Sequence, residues 1–293
     1  MSKNILTDKT ILITGAAGSI GSALSKKISS LSPKLLVILD QDETGIFDLY
    51  EEIKNVCNVD YVIASIRDYG KILEVFREYK PDIVYHAAAY KHVVLMERFK
   101  EEAIATNIIG LGNVVKSAVE VGVKKFIFIS SDKAVNPTST MGWTKNQGEK
   151  MCLKEKGRTK FIIVRFGNVM PSRGSVVPIF QKQIAENRNL TITHPKMKRY
   201  FMGIYEAVDL VIKATQKGKH GDIVVLDMGE PIYITDLAKT MIKLSGKPLE
   251  IVYTQPNKGE KFNEELMTKE ERSRAKKVDG MYIVNGRKRL LDK

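Results

Sequence analysis

Short apolar segments alternate with amphipathic segments along the first half of the chain. Thr10–Thr14, Leu35–Asp40, Ile83–His86 and Phe126–Ser130 are almost continuously apolar, and the stretches between them have the mixed pattern of helices. Strands that are apolar along their whole length are typical of parallel sheets buried on both faces. The pattern therefore predicts an α/β fold with a doubly wound parallel sheet, since right-handed crossovers place helices on both faces.

The alternation loosens after residue 167. The next segment, 168–199, carries prolines and one clear helical stretch at 179–187; a strand at 223–227 and a helix at 234–245 follow. We expect residues 1–167 to form a dinucleotide-binding Rossmann lobe. Residues 168–293 are expected to form a smaller substrate-binding lobe at the carboxyl edge of the sheet, with one or two segments returning to it.

The composition is that of an ordinary globular protein with a basic surface. Of 293 residues, 43% are hydrophobic and 28% are charged, and 47 basic residues against 34 acidic ones give a net charge of +13. Such an excess favours nucleic acid, anionic membranes or phosphorylated small molecules as partners. The lysines are scattered among acidic residues, so we expect a solvated surface and no nucleic-acid partner.

Two further observations concern the location of the chain. No apolar run reaches the roughly 18 residues that a membrane span requires, and residues 1–10 lack the apolar segment of a signal peptide. Cys57 and Cys152 are the only cysteines, and neither has the spacing of a metal site. We expect a cytoplasmic protein without a membrane span or a bound metal.

A glycine-rich motif lies between the first strand and the first helix. Gly15 permits a tight turn, Gly18 lets the backbone approach a pyrophosphate, and Gly21 permits close packing of the helix on the strand. Asp40 ends the second strand, where a carboxylate binds a ribose 2′-hydroxyl and repels a 2′-phosphate. The motif predicts NAD as cofactor, with NADP still possible because Lys26 and Lys27 are near in sequence.

A second motif is the segment Ser130-Ser131-Asp132-Lys133, followed by Met141 and Lys145. In dinucleotide-binding enzymes of this type, a Tyr-x-x-x-Lys pair ordinarily does the proton chemistry, and here Met141 occupies the Tyr position. A thioether neither donates nor accepts a proton usefully. Either the site is inactive, or Asp132 and Lys133 have taken over the proton transfers.

Read in order, these motifs resemble a known family. They are Thr14-Gly-Ala-Ala-Gly-Ser-Ile-Gly21, His86-Ala-Ala-Ala-Tyr-Lys-His92, Asp132-Lys-Ala-Val-Asn-Pro137, Met141-Gly-Trp-Thr-Lys145, Arg165-Phe-Gly-Asn168 and Gly259-Glu-Lys261. The chain resembles, over nearly its whole length, the extended short-chain dehydrogenase/reductases. Within them it is most similar to the UDP-N-acetylglucosamine 4,6-dehydratases that carry Met in place of the active-site Tyr. Two positions depart from many relatives: Ser131 replaces Thr, and Ser65 replaces an Asp that lies against adenine.

The resemblance implies a C5-retaining 4,6-dehydratase and therefore a hydro-lyase. The reaction oxidises C4, eliminates water across C5 and C6, and returns hydride to C6, so the cofactor ends unchanged. Asp132 and Lys133 would supply the acid and base, and Lys145 the cation that lowers the pKa of Lys133. Either Ser131 or Asp132 would accept the proton of the C4 hydroxyl, with Met141 at the Tyr position.

The resemblance also implies two sets of binding residues and a homo-oligomer. The predicted cofactor ligands are Gly15, Ala17, Gly18, Ser19, Ile20, Gly21, Asp40, Ser65, Ile66, Ala87, Ala88, Ala89, Asn107 and Lys145. The predicted ligands of UDP-N-acetylglucosamine are Lys91, Asn168, Ser175, Val176, Arg199 and Glu260. His86 is expected to be a packed strand-end histidine rather than a catalyst.

Three other functions fit parts of the sequence. A C5-inverting dehydratase and a UDP-sugar C4 epimerase use the same scaffold, but both tend to keep the Tyr that Met141 replaces. The third is a Rossmann-like RNA-binding protein without catalysis, which would use the positive charge. The presence of Asp132, Lys133 and Lys145 weighs against the third.

Overall fold

The fold is built on a nine-stranded sheet in the computed structural model, which describes residues 4–287. Two ends of the chain lie outside the described residues. They are residues 1–3, within the segment predicted to lack a signal peptide, and residues 288–293, within the predicted second lobe. The strands are β1 Thr10–Thr14, β2 Leu35–Asp40, β3 Val59–Ile63, β4 Ile83–His86, β5 Lys125–Ile129, β6 Lys160–Arg165, β7 Asn168–Met170, β8 Leu190–Ile192, β9 Lys198–Arg199, β10 Phe201–Gly203, β11 Asp222–Leu226, β12 Ile232–Tyr233, β13 Ile251–Tyr253, β14 Lys276–Val278 and β15 Met281–Asn285.

Helices connect most of these strands. They are α1 Ser19–Ser29, α2 Glu43–Ile53, α3 Tyr69–Tyr79, α4 Val93–Arg98, α5 Lys100–Ile104, α6 Leu111–Val121, α7 Thr140–Lys154, α8 Val176–Ala185, α9 Ile204–Lys217, α10 Ile234–Ser245 and α11 Lys269–Arg274. A π-helical segment, Ala105–Gly110, joins α5 to α6, and a 3₁₀ turn, Asp132–Ala134, follows β5. Within residues 4–287, no helix is both long and apolar enough to cross a membrane.

The large sheet has the order β14-β15-β11-β6-β5-β4-β1-β2-β3. The strands from β11 to β3 are all parallel, whereas β15 runs antiparallel to β11 and β14 antiparallel to β15. The strand order reverses between β1 and β4, as in doubly wound folds. The predicted fold class is confirmed.

Helices pack in two groups around this sheet. On one side α1 contacts α2 and α9, and on the other α3 contacts α6, which also contacts α7. Strands β1, β4 and β11 are buried at every position, as expected for strands covered on both faces. The carboxyl ends of β1, β4, β5 and β6 meet at one edge, which is where such folds bind ligands.

The later part of the chain contributes to both the sheet and a separate small core. Strands β11, β14 and β15 extend the sheet beyond β6. Phe180, Leu190, Ile192, Met197, Ile234 and Ala238 form a second buried cluster between α8, α10 and the short strands. This cluster lies within the segment predicted to form the second lobe.

Candidate active site

The turn after β1 has room for backbone but not for side chains. Gly15 has φ +73°, and a Cβ there would lie 2.4 Å from the Ala88 nitrogen. A Cβ at Gly21 would lie 2.0 Å from the carbonyl oxygen of Gly15. Gly18 precedes α1 and provides no side-chain cap, so the first N–H groups of the helix, from Ser19 and Ile20, face the cleft. This cradle fits a dinucleotide pyrophosphate, which binds to backbone N–H groups and the positive end of the helix.

Asp40 lies beside this turn at the end of β2. Its Oδ2 accepts a hydrogen bond from the backbone N–H of Ala17 at 3.0 Å, and its Oδ1 accepts from those of Gln41 at 2.8 Å and Asp42 at 3.2 Å. The side chain lines a cavity of about 200 Å³ together with Ile66 and Ala88. Asp40 is therefore held rigidly at one wall of the adenosine half of the cleft.

Two predicted cofactor ligands make hydrogen bonds within the protein. Ser65 Oγ accepts a hydrogen bond from the Arg67 N–H at 3.4 Å. Asn107, in the π-helical segment, accepts from the N–H of Tyr90 at 2.8 Å and donates to its carbonyl oxygen at 2.9 Å and to Thr144 Oγ1 at 3.0 Å. Asn107 thus fixes Tyr90, which lines both halves of the cleft beside the wall formed by residues 87–89.

His86 has the structural role that the sequence favoured. It is 1% exposed, packs against Phe126 and Phe128, and its Nδ1 lies 2.8 Å from Thr14 Oγ1. Burial, with the nearby charge of Lys145, lowers the pKa of His86 to about 3. The ring stays neutral near pH 7 and supports the sheet edge.

Helix α7 brings Met141 and Lys145 to the floor of the cleft, one turn apart. Met141 is 2% exposed and packs against Met96 and Ala103. The Lys145 Nζ donates to the carbonyl oxygen of Ile129 at 2.8 Å and lies 4.9 Å from the centre of the Phe128 ring. Burial lowers the pKa of Lys145 to about 8, although Glu149 opposes the shift.

The 3₁₀ turn after β5 places Asp132 and Lys133 at the same floor. The Lys133 Nζ donates to both carboxylate oxygens of Asp132, at 3.0 and 3.2 Å, and Ser131 Oγ donates to Oδ1 at 2.7 Å. Asp132 is completely buried beneath these groups, whereas the side chain of Lys133 is 19% exposed and lines the cleft. Lys133 therefore faces any bound molecule and Asp132 lies behind it.

A buried ionic network supports this floor from below. Arg165, at the end of β6, donates to Glu149 of α7 at 2.6 Å and to Glu271 of α11 at 2.7 Å. Ser130 Oγ also donates to Glu149 at 2.6 Å. Burial opposes the charge of Arg165, but the two carboxylates raise its pKa above the ordinary value. The network ties the end of β5 to β6, α7 and α11.

The loop between β7 and α8 forms the roof of the cleft. Arg173 donates from its backbone N–H to Ser19 Oγ at 3.0 Å and from its guanidinium to the carbonyl oxygen of Ala17 at 2.5 Å. Its own carbonyl oxygen accepts a hydrogen bond from the Lys91 Nζ at 2.8 Å. Burial lowers the pKa of Lys91, and the neighbouring charges of Arg173 and Lys133 lower it further. Ser175 lines the cleft with a buried hydroxyl that has no hydrogen-bond partner among the described residues.

A second cavity, of about 400 Å³, continues from Lys91 and Lys133 toward the small core. Arg199 and Glu260 line it, and Arg199 Nη2 lies 3.3 Å from Glu260 Oε1. Asn168 instead lines the main cleft, which also contains Lys133 and Lys145, and donates to the carbonyl oxygen of Tyr200 at 3.2 Å. Val176 instead begins α8 and packs against the small core.

Sequence reasoning missed two residues that the fold brings into the cleft. Arg173 reaches back to the glycine-rich turn, and Glu264 lines the second cavity opposite Lys133. No motif in the sequence singles out Arg173. Glu264 stands three positions after Lys261 of a motif that the sequence did single out, which is the one signal that points to it.

The comparisons with known proteins agree with this geometry. The family described as polysaccharide biosynthesis protein matches residues 11–286, which is nearly the whole chain. The chain belongs to this family. Its relatives include a probable polysaccharide biosynthesis protein EpsC of Bacillus subtilis, 48% identical over 92% of the chain, and the capsular polysaccharide biosynthesis protein CapD of Staphylococcus aureus, 46% identical over 91%. The chain spans 46% of the length of each of these two relatives.

Other similar proteins are nearer to the chain in length. A UDP-glucose 4-epimerase of Rickettsia felis is 37% identical to the chain. The match covers 96% of this chain and 84% of that protein. Among solved structures, Pen from Bacillus thuringiensis superposes with a TM-score of 0.90 at 37% identity, covering 95% of this chain and 90% of its own. The UDP-glucose 4-epimerase of Thermus thermophilus, solved with NAD, has a TM-score of 0.75 at 21% identity over 86% and 88% of the two chains, which shows the common fold.

Proposed function

We propose that the protein is a UDP-N-acetylglucosamine 4,6-dehydratase that uses NAD and retains the C5 configuration. The observation that carries the proposal is the pairing of Asp132 with Lys133 at the cleft floor, beside a buried Met141. Elimination needs a base near C5 and an acid near C6, whereas Met141 cannot shuttle a proton. Residues 1–167 hold the cofactor and residues 168–293 the nucleotide sugar.

The cofactor assignment is supported by the tight turn around Gly15 and Gly21, where a Cβ would collide with neighbouring backbone, so the turn can bring its N–H groups close to a pyrophosphate. Asp40 favours NAD over NADP, because its carboxylate faces the adenosine half of the cleft and repels a 2′-phosphate. Gly15, Gly18 and Asp40 would hold NAD, and the bound cofactor would supply the hydride-carrying chemistry between C4 and C6. Lys145 orients the nicotinamide ribose.

Other residues of the cleft have separate roles in proton transfer and in binding the substrate. Lys133 faces the sugar and takes the C5 proton, while Asp132, hydrogen-bonded to its Nζ, gives a proton to the departing C6 hydroxyl. Ser131, hydrogen-bonded to Asp132, can pass the proton of the C4 hydroxyl to that carboxylate. In the second cavity, Arg199 pairs with the diphosphate and Glu260 with the uridine ribose, since a guanidinium binds phosphate oxygens in pairs.

A C4 epimerase is the second candidate, because relatives 37% identical carry that name. An epimerase must deprotonate and reprotonate the C4 oxygen at the same place in the site. Met141 leaves the floor of this cleft without the hydroxyl that ordinarily does so. We therefore favour elimination over epimerisation.

Exposed apolar side chains along the helices beside the cleft support a homo-oligomer. Ile109, Val119 and Trp143 are 55%, 39% and 42% exposed on the π-helical segment, α6 and α7. Exposed apolar groups grouped on neighbouring helices are typical of contact surfaces. We propose that these helices pack against a second copy of the chain.

The experiment is incubation with UDP-N-acetylglucosamine in D₂O, followed by NMR of the product. We expect a UDP-4-keto-6-deoxy sugar with deuterium at C5, retained C5 configuration, and a C6 hydrogen transferred from C4 of the same molecule. Asp132→Asn and Lys133→Met should each lower turnover by at least about 10²-fold, the scale of a positioned proton donor or acceptor. A C4 epimer of unchanged formula, or normal turnover by both variants, contradicts the proposal.

A further inference from the structure

One segment of the chain, residues 257–265, borders the second cavity and also contacts the turn after β5. Glu260 of this segment lines the cavity proposed to hold the nucleotide. The next residue, Lys261, donates a hydrogen bond from its Nζ to the carbonyl oxygen of Val135 at 2.7 Å. Two successive residues therefore contact the nucleotide cavity and the backbone directly after the proposed acid and base.

Three further contacts hold this segment to the chain between the 3₁₀ turn and α7. Thr138 Oγ1 donates to the carbonyl oxygen of Gly259 at 3.0 Å. Asn136 Nδ2 donates to Glu265 Oε2 at 2.9 Å. Gly259 packs so closely that a Cβ there would lie 2.9 Å from the Cβ of Ser139, the residue that caps α7. The segment is thus fastened to the floor of the cleft at several points.

Val135 follows the 3₁₀ turn and closes it. Its N–H donates to the carbonyl oxygen of Asp132 at 3.0 Å, and its own carbonyl oxygen accepts from Lys261. The side chain of Lys261 is 17% exposed and lies 3.8 Å from Glu264, whose other carboxylate oxygen lies 3.9 Å from the Lys133 Nζ. Lys261 is therefore connected to the turn through the backbone of Val135 and through the carboxylate beside Lys133.

We infer that Lys261 is a positioning residue that couples nucleotide binding to the proton chemistry. The inference rests on the proposed dehydratase function. When the nucleotide occupies the second cavity, its contact with Glu260 fixes the backbone at Lys261. The bond from Lys261 to Val135 then holds the proposed acid and base in place. Part of the binding energy of the nucleotide thereby raises turnover, as in enzymes whose truncated substrates lose rate as well as affinity.

The first test compares Lys261→Met with wild type. Methionine keeps the apolar stem of lysine but cannot donate a hydrogen bond, so the carbonyl oxygen of Val135 loses its partner. We expect kcat for UDP-N-acetylglucosamine to fall by at least about tenfold, because a small displacement of a positioned acid and base has an effect of that size. The affinity for UDP, measured by calorimetry, should change by less than about threefold, since Glu260 and Arg199 remain.

Three other variants show whether the hydrogen bond itself matters. Lys261→Arg keeps a cationic donor and should recover most of the wild-type kcat. Thr138→Val removes the bond to Gly259 and leaves Lys261 in place, so it should give a smaller loss of kcat in the same direction. The matched control is Lys258→Met, which removes an exposed lysine of the same segment and should behave as wild type.

The second test is a double-mutant cycle between the nucleotide contact and the positioning residue. Glu260→Gln alone should lower kcat as well as the affinity for UDP. Combined with Lys261→Met, it should lower the affinity but reduce kcat no further than Lys261→Met does alone, because the connection is already broken. Additive losses of kcat would mean that the two residues act independently, and would overturn the coupling.

The outcomes separate this inference from the function on which it rests. If wild type makes no 4-keto-6-deoxy sugar, the proposed function is wrong. If wild type makes it and Lys261→Met keeps a normal kcat, only the role of Lys261 is wrong. A loss confined to UDP affinity would make Lys261 a nucleotide ligand, and equal losses in Lys261→Met and Lys261→Arg would make it a structural residue. Either result overturns the inference.

Discussion

At the scale of single residues, two buried cations of the site are stabilised very differently. Arg165 is fully buried but has two carboxylates, so its charge is retained. Lys145 donates to one backbone carbonyl and lies over an aromatic ring, and the carboxylate nearest along its helix, Glu149, is already engaged by Arg165 and Ser130. Burial therefore lowers the pKa of Lys145 from the ordinary 10.5 to about 8.

This difference predicts how stability depends on pH. The folded pKa of Lys145 lies below the unfolded value, so between about 8 and 10.5 the unfolded chain binds a proton that the folded chain has released. The cost of burying the ammonium is fully present below pH 8 and is relieved as pH rises through this window. Relative to Lys145→Met, wild type should gain on the order of 3 kcal/mol of unfolding free energy over the window. Urea unfolding of both proteins at pH 7.5 and 9.5 measures part of it, and parallel pH dependences would contradict the prediction.

At the scale of elements, the strands were the most predictable part of the chain. Thr10–Thr14, Leu35–Asp40 and Ile83–His86 form strands at the predicted bounds, because a strand buried on both faces leaves a continuous apolar run in the sequence. Helix α10 also has its predicted bounds. The antiparallel pair β14 and β15 was not predicted, since its exposed positions break up the apolar pattern.

The candidate site was predictable only where its residues share a local motif. Gly15, Asp132 and Lys145 sit in short segments whose spacing indicates their chemistry. Glu264 and Arg173 reach the site through contacts between segments far apart in sequence; the guanidinium of Arg173 meets the carbonyl of Ala17 across 156 positions. Periodicity and spacing carry no information about such contacts.

The glycine-rich turn gives a prediction at the same scale. A Cβ at Gly21 would collide with the Gly15 carbonyl at 2.0 Å, so Gly21→Ala must push the start of α1 away from β1. We expect NAD affinity to fall at least about tenfold, because the N–H groups that meet the pyrophosphate move with the helix. Gly157→Ala is the control, since nothing lies within 4 Å of a Cβ there. Equal NAD affinity of the two variants by calorimetry would show that the turn is not the pyrophosphate site.

At the scale of the whole molecule, Arg173 joins the two predicted lobes across the mouth of the cleft. Its backbone and guanidinium contact the glycine-rich turn, and its carbonyl oxygen accepts from Lys91. The same loop continues to Ser175 on the sugar side. One short segment thus borders both the cofactor half and the substrate half of the cleft.

Removing this connection should release the cofactor faster. We expect Arg173→Ala to raise the dissociation rate of NAD by about tenfold, because the variant loses one charged contact to phosphate or backbone. Stopped-flow displacement by excess unlabelled nucleotide measures the rate. Lys182→Ala, which removes an exposed cation of α8 far from the turn, should leave it unchanged. An unchanged rate in Arg173→Ala would mean that the loop does not cover the cofactor.

The Arg173 connection also bears on the order in which molecules enter and leave. A sugar nucleotide resting against Ser175 would hold the loop down, so the dinucleotide beneath could not escape until the sugar had departed. Since the reaction returns the dinucleotide to its starting redox state, a single copy can serve many successive sugars. Between visits the loop would still be held by its hydrogen bonds to Ser19, Ala17 and Lys91. The protein would then exchange its dinucleotide chiefly when the sugar nucleotide is scarce. The residence time of the dinucleotide on the protein would therefore depend on the concentration of substrate.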